Sequence, residues 1–441
     1  MLLRAAEADG CTDAGRSTAT PFTYRAAYPG IGKPLKRALA RRGMRPSLTK
    51  DPRCVFEFSQ RTKACFERAH AHTLVTSNIF VHRGLADKAR LATLLAGKRC
   101  HPNPTYTVRG HDDLIDLLGK REPSDRDEGP WCLKAATVNN SLGVAFFPSL
   151  SNLAQRADEF FQRVRDETYI LQPYVKDTVL YRKKKCHVRL NILVVGPAGH
   201  VYVHNEPVLH VAPLEYGAAA DDGYENAGVH VTNHVAHQHT KTGSGAGVVA
   251  DRVTLADMEK DLGCPGFAND AFRKMCGAVR EIFQSVVGKG NEFLPVENCF
   301  ELFGVDFLFE RTAGGGLSVE TDEATSSHFE AIVLEVNSGP GLEGRVDEAL
   351  CEAILEDTLR IVLDPWHNYV LQGELDANTK TTPTPDCPAG YTYIGAFFEK
   401  HEHAEANANN GTSESPFLVS DTFLRHAHKV LKWTKTLEDT D

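Results

Sequence analysis

Two apolar stretches constrain this chain more than any other feature: Phe300-Glu301-Leu302-Phe303-Gly304-Val305-Asp306-Phe307 and Val333-Leu334-Glu335-Val336-Asn337-Ser338-Gly339-Pro340. Both read as buried strands, and their ordering suggests neighbours in one sheet. Asp306 interrupts the first. Glu335 and Asn337 lie two apart on the second, so alternation sends both side chains to one face. Two ionised carboxylates among apolar residues are costly without a compensating cation. Asp306, Glu335 and Asn337 together form an all-oxygen set that suits Mg²⁺, an ion that shares its shell with nucleotide phosphates. The plainer alternative is that Asp306 and Glu335 cap strand ends or pair with Lys or Arg.

The rest of the chain adds a phosphate-binding theme. Lys134 follows the apolar strand Trp131-Cys132-Leu133 and precedes a small-residue loop closed by Gly143. Such a loop can lie over phosphates, with the Lys as a point charge and backbone N–H groups as donors; it also fits an ordinary hairpin. Arg189 lies inside the strand pattern His187-Val188-Arg189-Leu190-Asn191. An Arg there needs an anion, either Asp306 or a phosphate that fits its planar fork. His230-Val231-Thr232-Asn233 places polar side chains at a turn.

The chain of 441 residues is long enough for two or three domains, and 42% hydrophobic with 24% charged residues is ordinary for a globular protein. No apolar run of about 18 residues predicts a membrane span. Residues 1–20 have a disordered composition with no secretory core. The 11 cysteines form no CxxC pair and read as reduced thiols of the cytosol, without zinc. The pattern predicts a mixed N-terminal domain over 21–125, a central domain over 126–205, a C-terminal domain over 206–371 and a linker and tail over 372–441, interrupted by an ordered Tyr391–Phe398. A single helix is expected over Leu85–Leu95. Between Ile31 and His70, eleven Lys and Arg stand against three acids, a local excess of eight on a chain of net charge −9. That face suggests an acidic partner or a solvated surface. No nucleic-acid motif accompanies it.

In sequence order these pieces resemble the tubulin–tyrosine ligase-like family, which has the ATP-grasp fold. The resemblance runs from the Leu85–Leu91 segment with its Lys88, through the Lys134 strand, Gln172-Pro173-Tyr174, His187-Val188-Arg189 and His230-Val231-Thr232-Asn233, to the paired strands at 300–307 and 334–340. It covers about residues 25–365. It implies an α/β protein of ATP-grasp type that binds ATP and Mg²⁺. Lys134 and the Gly143 loop would hold phosphates. Gln172, Tyr174 and Val175 would form the adenine hinge, and Asn233 would touch the nucleotide. Arg189 and Lys88 would face the γ-phosphate and the acyl group. Asp306, Glu335 and Asn337 would hold the metal.

The implied reaction joins an amino acid (Tyr, Glu or Gly) to a carboxylate of an acidic protein tail, tubulin first, through an acyl phosphate. A loop in 214–250 would close over it. The implied setting is cytoplasmic and cytoskeletal, with no nucleic acid or membrane partner. Three positions depart from the family pattern: Pro173 replaces a Lys, His187 an Asp and His210 an Arg. They leave two alternatives open, a nucleotide- or tubulin-binding pseudoenzyme and a ligase for another peptide or small acid.

Overall fold

The computed structural model describes residues 22–27, 31–47, 51, 53–61, 64–120, 129–138, 143–217, 224, 226–232, 252–312, 328–339, 342, 348–372, 387–398, 422, 425–427 and 429–430. They form a mixed α/β structure built on three sheets.

The first sheet is parallel, in the order β2-β1-β3-β4. In chain order it comprises β1 (Thr23–Ala27), α1 (Gly32–Arg41), β2 (Arg45–Pro46), β3 (Cys54–Ser59), α2 (Phe66–His70) and β4 (Val75–Thr76). Pro34, Leu35, Ala38 and Leu39 recur at helical spacing and bury one stripe of α1. Three arginines toward the C-terminal end of α1 are engaged within the molecule. Arg37 bonds Glu348 and Glu352, Arg41 bonds Glu352 and Glu356, and Arg42 bonds Glu356 and Asp364. Part of the local positive excess, three arginines, is therefore paired within the molecule, with acids more than 300 residues away.

Next come α3 (Arg83–Ala86) and α4 (Lys88–Leu94). The single helix expected over Leu85–Leu95 is broken at Asp87, whose backbone is extended. Its carboxylate accepts from the N–H groups of Ala89 at 2.9 Å and Arg90 at 3.1 Å, starting a new helix. The cap sets Lys88 at the first position of α4.

The second sheet is antiparallel, in the order β5-β8-β6-β7. It holds β5 (Tyr106–Val108), α5 (His111–Gly119), β6 (Trp131–Ala135), β7 (Val144–Phe147), α6 (Leu150–Arg163) and β8 (Tyr169–Pro173). Pro173 ends β8, where its lack of an N–H is tolerated.

The third sheet carries the longest strands. It contains β9 (Lys184–Val195), β10 (His200–His204), β11 (Val208–Glu215), α7 (Ala227–His230), α8 (Leu255–Leu262), α9 (Phe267–Val286), β12 (Phe300–Arg311), β13 (Phe329–Asn337), α10 (Glu348–Val362), α11 (Asp364–Gln372) and β14 (Tyr391–Ala396). Strands run β13-β12-β9-β10-β14, with β11 also on β9. β9 and β10 form a hairpin, with the chain reversing at Gly196 and Gly199, both at positive φ. Thr254 and Asp257 cap α8 reciprocally, and Gly263 ends it in the left-handed conformation.

The two faces of β9 differ. Cys186, Val188, Leu190, Ile192 and Val194 enter the main core, which α9 covers with Phe267, Met275, Val279, Ile282 and Phe283. On the other face, Leu193 and Val195 join a second core with Phe56, Phe300, Leu302 and α10. Between that core and a small cluster of Val175, Leu308 and Ile332, the same face is polar. Of the ten described cysteines eight are buried, and all ten are free thiols. Among the described residues no helix is long and apolar enough to cross a membrane.

Candidate active site

The polar band on the third sheet follows from strand register. Asp306 pairs with Glu335 on one side and Arg189 on the other, and Gly304 pairs with Asn337 and Asn191. Directly paired residues share a face, so Asn337, Glu335, Asp306, Arg189 and Asn191 project together. A bulge in the β12–β13 pairing after Asp306 leaves Leu334 unmatched and keeps Glu335 and Asn337 in phase with Asp306. The one-face placement expected for Glu335 and Asn337 is thus observed, with their side chains in contact.

Arg189 grips Asp306 through Nε on Oδ1 and through Nη2 on Oδ2, the latter at 2.8 Å. Both residues are about 95% buried. Burial opposes the Arg189 charge, but the Asp306 carboxylate outweighs it and Glu335 adds to it, so the guanidinium pKa is raised. Asn337 Nδ2 reaches Glu335 Oε1 at 3.1 Å and Asp306 Oδ2 at 3.4 Å. Lys88 Nζ lies 3.3 Å from Glu335 Oε2 and 3.3 Å from the carbonyl of Val138. One connected set therefore runs Lys88–Glu335–Asn337–Asp306–Arg189, and it ties α4 and the β6–β7 connection to the third sheet.

Gly304 makes this arrangement possible. A Cβ there would stand 2.7 Å from Arg189 Cδ and 3.0 Å from Nε and Nη1. The guanidinium lies in the space that a side chain would take.

The hinge residues Gln172, Tyr174 and Val175 are all buried. Tyr174 OH bonds His230 Nδ1 at 2.8 Å, and its ring meets Phe146 edge-on at 5.2 Å. Sequence reading missed a buried lysine packed on this hinge. Lys185 Nζ sits 3.7 Å from the centre of the Tyr174 ring and donates to the Val175 carbonyl at 3.3 Å. Burial, helped by the nearby Lys134 charge, pulls its pKa down to about 7. The signal was available: Lys185, His187 and Arg189 alternate on one face of β9. Lys134 itself is on β6, and Gly143 packs against Ala135 and Val138, where a Cβ would come within 2.9 Å of either. Asn233 and most of 214–250 lie outside the described residues.

His187 and His210, paired across β9 and β11, stack with ring centres 4.7 Å apart. His187 Nδ1 also bonds the Thr232 hydroxyl, and its Nε2 is 3.8 Å from Asp306. An open cleft of about 600 Å³ lies over α3, lined by Arg61, Phe80, His82, Arg83, Asp87 and Thr137.

Among the described residues no three or more His, Cys, Asp and Glu come together as a metal centre. The donors that do converge are two carboxylates and one amide, which leaves shell positions for waters and phosphate oxygens. That is the set Mg²⁺ accepts, and turning the Asn337 amide would present its oxygen beside both carboxylates. The residues fit the ion. Lys88 and Arg189 bond the two carboxylates, and Lys134 and Lys185 interact with each other nearby on β6 and β9, a lysine- and arginine-rich surround suited to a polyphosphate.

Comparison with known proteins identifies the family. Residues 98–368 match the tubulin-tyrosine ligase family. A probable tubulin–tyrosine ligase of Schizosaccharomyces pombe is 25% identical over 198 residues, 43% of this chain and 42% of the relative. A tubulin monoglycylase of Danio rerio is 23% identical over 53% of this chain and 29% of its own length. A probable tubulin polyglutamylase of Caenorhabditis elegans is 23% identical over 49% and 48%. The matched stretches span less than half the length of these relatives. The mixed α/β sheets carrying the site are of ATP-grasp type, and the chain belongs to the tubulin-tyrosine ligase family.

Proposed function

We propose that this chain is an ATP-dependent carboxylate–amine ligase that joins an amino acid to a carboxylate of an acidic protein tail, with tubulin the first acceptor to test. The observation that carries the reading is the connected set of Lys88, Glu335, Asn337, Asp306 and Arg189. It combines a hard-cation donor set with fixed cations, as phosphoryl transfer to a carboxylate requires. Mg²⁺-ATP supplies the phosphoryl group that turns the acceptor carboxylate into a reactive acyl phosphate.

The side chains divide the remaining work. Gln172, Tyr174 and Val175 receive the base. Lys134 and Lys185 neutralise the phosphate chain. Asp306, Glu335 and Asn337 hold the metal, while Arg189, anchored by Asp306, faces the transferred group. Lys88, which spans Glu335 and the Val138 carbonyl, meets the acceptor carboxylate. With Arg37, Arg41 and Arg42 already paired, the tail is guided by Arg61 and Arg83 of the cleft rather than by α1. The matched relatives are named for tyrosine, glycine and glutamate chemistry, so all three amino acids are candidate donors.

Intact-mass analysis of tubulin and of its isolated tail peptides tests the reading, with Mg²⁺-ATP and each donor supplied in turn. A mass increment from one amino acid, absent with Glu335→Gln, is expected. A second reading, a nucleotide-binding pseudoenzyme, draws on the stacked His187 and His210 beside Asp306. It calls for stabilisation by Mg²⁺-ATP with no increment from any donor or acceptor.

A further inference from the structure

The open cleft over α3 holds two arginines of a different kind from those on α1. Arg25, Arg37, Arg41, Arg42 and Arg53 each meet a carboxylate. Arg61 and Arg83 are held instead by backbone carbonyls: Arg61 by those of Ile79 and Phe80, each at 2.5 Å, and Arg83 by that of Asn291 at 2.5 Å. A neutral carbonyl fixes a guanidinium in place without cancelling its charge, and N–H donors remain on both side chains. The charge of Arg61 also acts on Glu301, but that carboxylate is buried and already bonded by His82 and the Ile79 N–H.

Phe80 lines the same cleft. It is 50% exposed, the most exposed large hydrophobic side chain among the described residues. Its ring meets Phe66 edge-on at 5.6 Å, and the Arg61 guanidinium lies over Phe66 at 5.3 Å. The aromatic surface is thus braced beside a fixed cation, and covering it gains the burial it lacks. Asp87, also in the cleft wall, caps α4. Its charge beside the two arginines leaves a small positive balance, which suits a few carboxylates next to an apolar group better than a dense polyanion. The cleft also leads to the carboxylate site: Asp87 and Thr137 line it, and their chain neighbours Lys88 and Val138 meet at 3.3 Å, with Lys88 continuing to Glu335.

We infer that this cleft docks a short segment of the acceptor protein in which an apolar side chain stands next to acidic ones, with the apolar group on Phe80 and the carboxylates on Arg61 and Arg83. Calling the segment an acceptor rests on the ligase reading. That reading asks only for an acidic tail; the cleft adds the demand for an apolar neighbour. Phe80 is therefore a specificity residue. A uniformly acidic segment engages the arginines and forgoes the aromatic contact.

The test is fluorescence anisotropy of labelled peptides with the full chain in the absence of nucleotide. The peptides share one length: an acidic one with a central Phe, the same with Ala in place of Phe, and the Phe peptide with its Glu residues changed to Gln. The Phe peptide is expected to bind roughly five- to tenfold more tightly than the Ala peptide, as covering a half-exposed ring gives, and roughly tenfold or more tightly than the Gln peptide. Phe80→Ala abolishes the preference for Phe over Ala, Phe80→Leu keeps most of it, and Arg83→Gln weakens both acidic peptides. Thermal melting of each variant reports that it is folded. No binding, equal binding of the Phe and Ala peptides, or a preference that survives Phe80→Ala overturns the inference. So does a single-stranded oligonucleotide that binds more tightly than the Phe peptide and is lost with Arg83→Gln, which makes the cleft a polyanion site. Intact mass of the same peptides and of tubulin, after incubation with Mg²⁺-ATP and each donor, separates this inference from the reading beneath it. The expected binding pattern without any increment leaves the docking surface standing and overturns the ligase reading, whereas increments that ignore the central residue and Phe80 overturn the docking inference alone.

Discussion

Arg189 and Asp306 are cross-strand partners that hold each other through both ends of the guanidinium and both carboxylate oxygens, almost fully buried in the third sheet. A buried pair of this kind is costly to break on one side, because the surviving charge has no water to replace its partner. Arg189→Leu and Asp306→Leu are each expected to destabilise the protein by about 3–5 kcal/mol. The double variant should lose much less than the sum of the two. A urea-denaturation cycle measures the coupling; strictly additive losses would show that the pair is not the unit described here.

Gly304 offers a subtler probe of the same pair. Adding one methyl places a carbon 2.7 Å from Arg189 Cδ, so the guanidinium must leave its seat. Gly304→Ala is expected to cost about 1–3 kcal/mol, as overpacking does, and to abolish nucleotide-dependent turnover while the protein still folds. Retention of full activity would mean that the position of Arg189 is not critical.

The strand pair and its acidic residues were legible because carboxylates inside apolar runs are conspicuous, and alternation alone puts Glu335 and Asn337 on one face. Lys185 was not, because the run Lys183–Lys185 looks like a solvated turn until the face of β9 is followed inward. Asp87 falls inside the single helix that the apolar spacing predicts, although an Asp before a new apolar repeat is an N-cap signal. The pairing of Arg37, Arg41 and Arg42 was hidden by distance along the chain: Glu348, Glu352 and Glu356 recur at helical spacing on α10, Asp364 opens α11, and nothing local links these helices to α1. For the same reason the edge strand β14, which pairs with β10 across nearly 190 residues, could be read as ordered but not placed.

His82 and Glu301 form a second buried pair, with His82 Nδ1 2.8 Å from both carboxylate oxygens and the Ile79 N–H donating at 2.9 Å. Burial raises the Glu301 pKa, although His82 works against it. His82→Leu leaves the carboxylate with one backbone donor and should cost about 3 kcal/mol. A group whose pKa is raised on folding takes up a proton, so acid favours the folded state. The defect is therefore expected to shrink as pH falls and to be largest in neutral and alkaline solution. Denaturation curves at pH 5 and pH 8, each at about 25 °C, measure it; a defect that grows in acid would place the dominant charge elsewhere.

Lys185 makes stability and nucleotide binding respond in opposite directions. Its ammonium is buried over Tyr174, which pulls its pKa from 10.5 down to about 7. Between those values the unfolded chain holds a proton that the folded one does not, so raising pH stabilises the fold. The relief is complete above the unfolded value and is lost as pH falls through about 7. Lys185→Met removes the buried charge while keeping most of the bulk. Without nucleotide it should melt at a higher temperature than the unsubstituted protein at pH 6, and the gap should close toward pH 10. With Mg²⁺-ATP the order reverses, since a phosphate near Lys185 restores the value of its charge; affinity for ATP is expected to drop roughly tenfold in the variant. Differential scanning fluorimetry across pH, with and without Mg²⁺-ATP, reads both effects. A variant that melts lower at pH 6 without nucleotide would mean that the Tyr174 ring and the Val175 carbonyl compensate fully for burying the ammonium. A nucleotide response equal to that of the unsubstituted protein would place the phosphates away from Lys185.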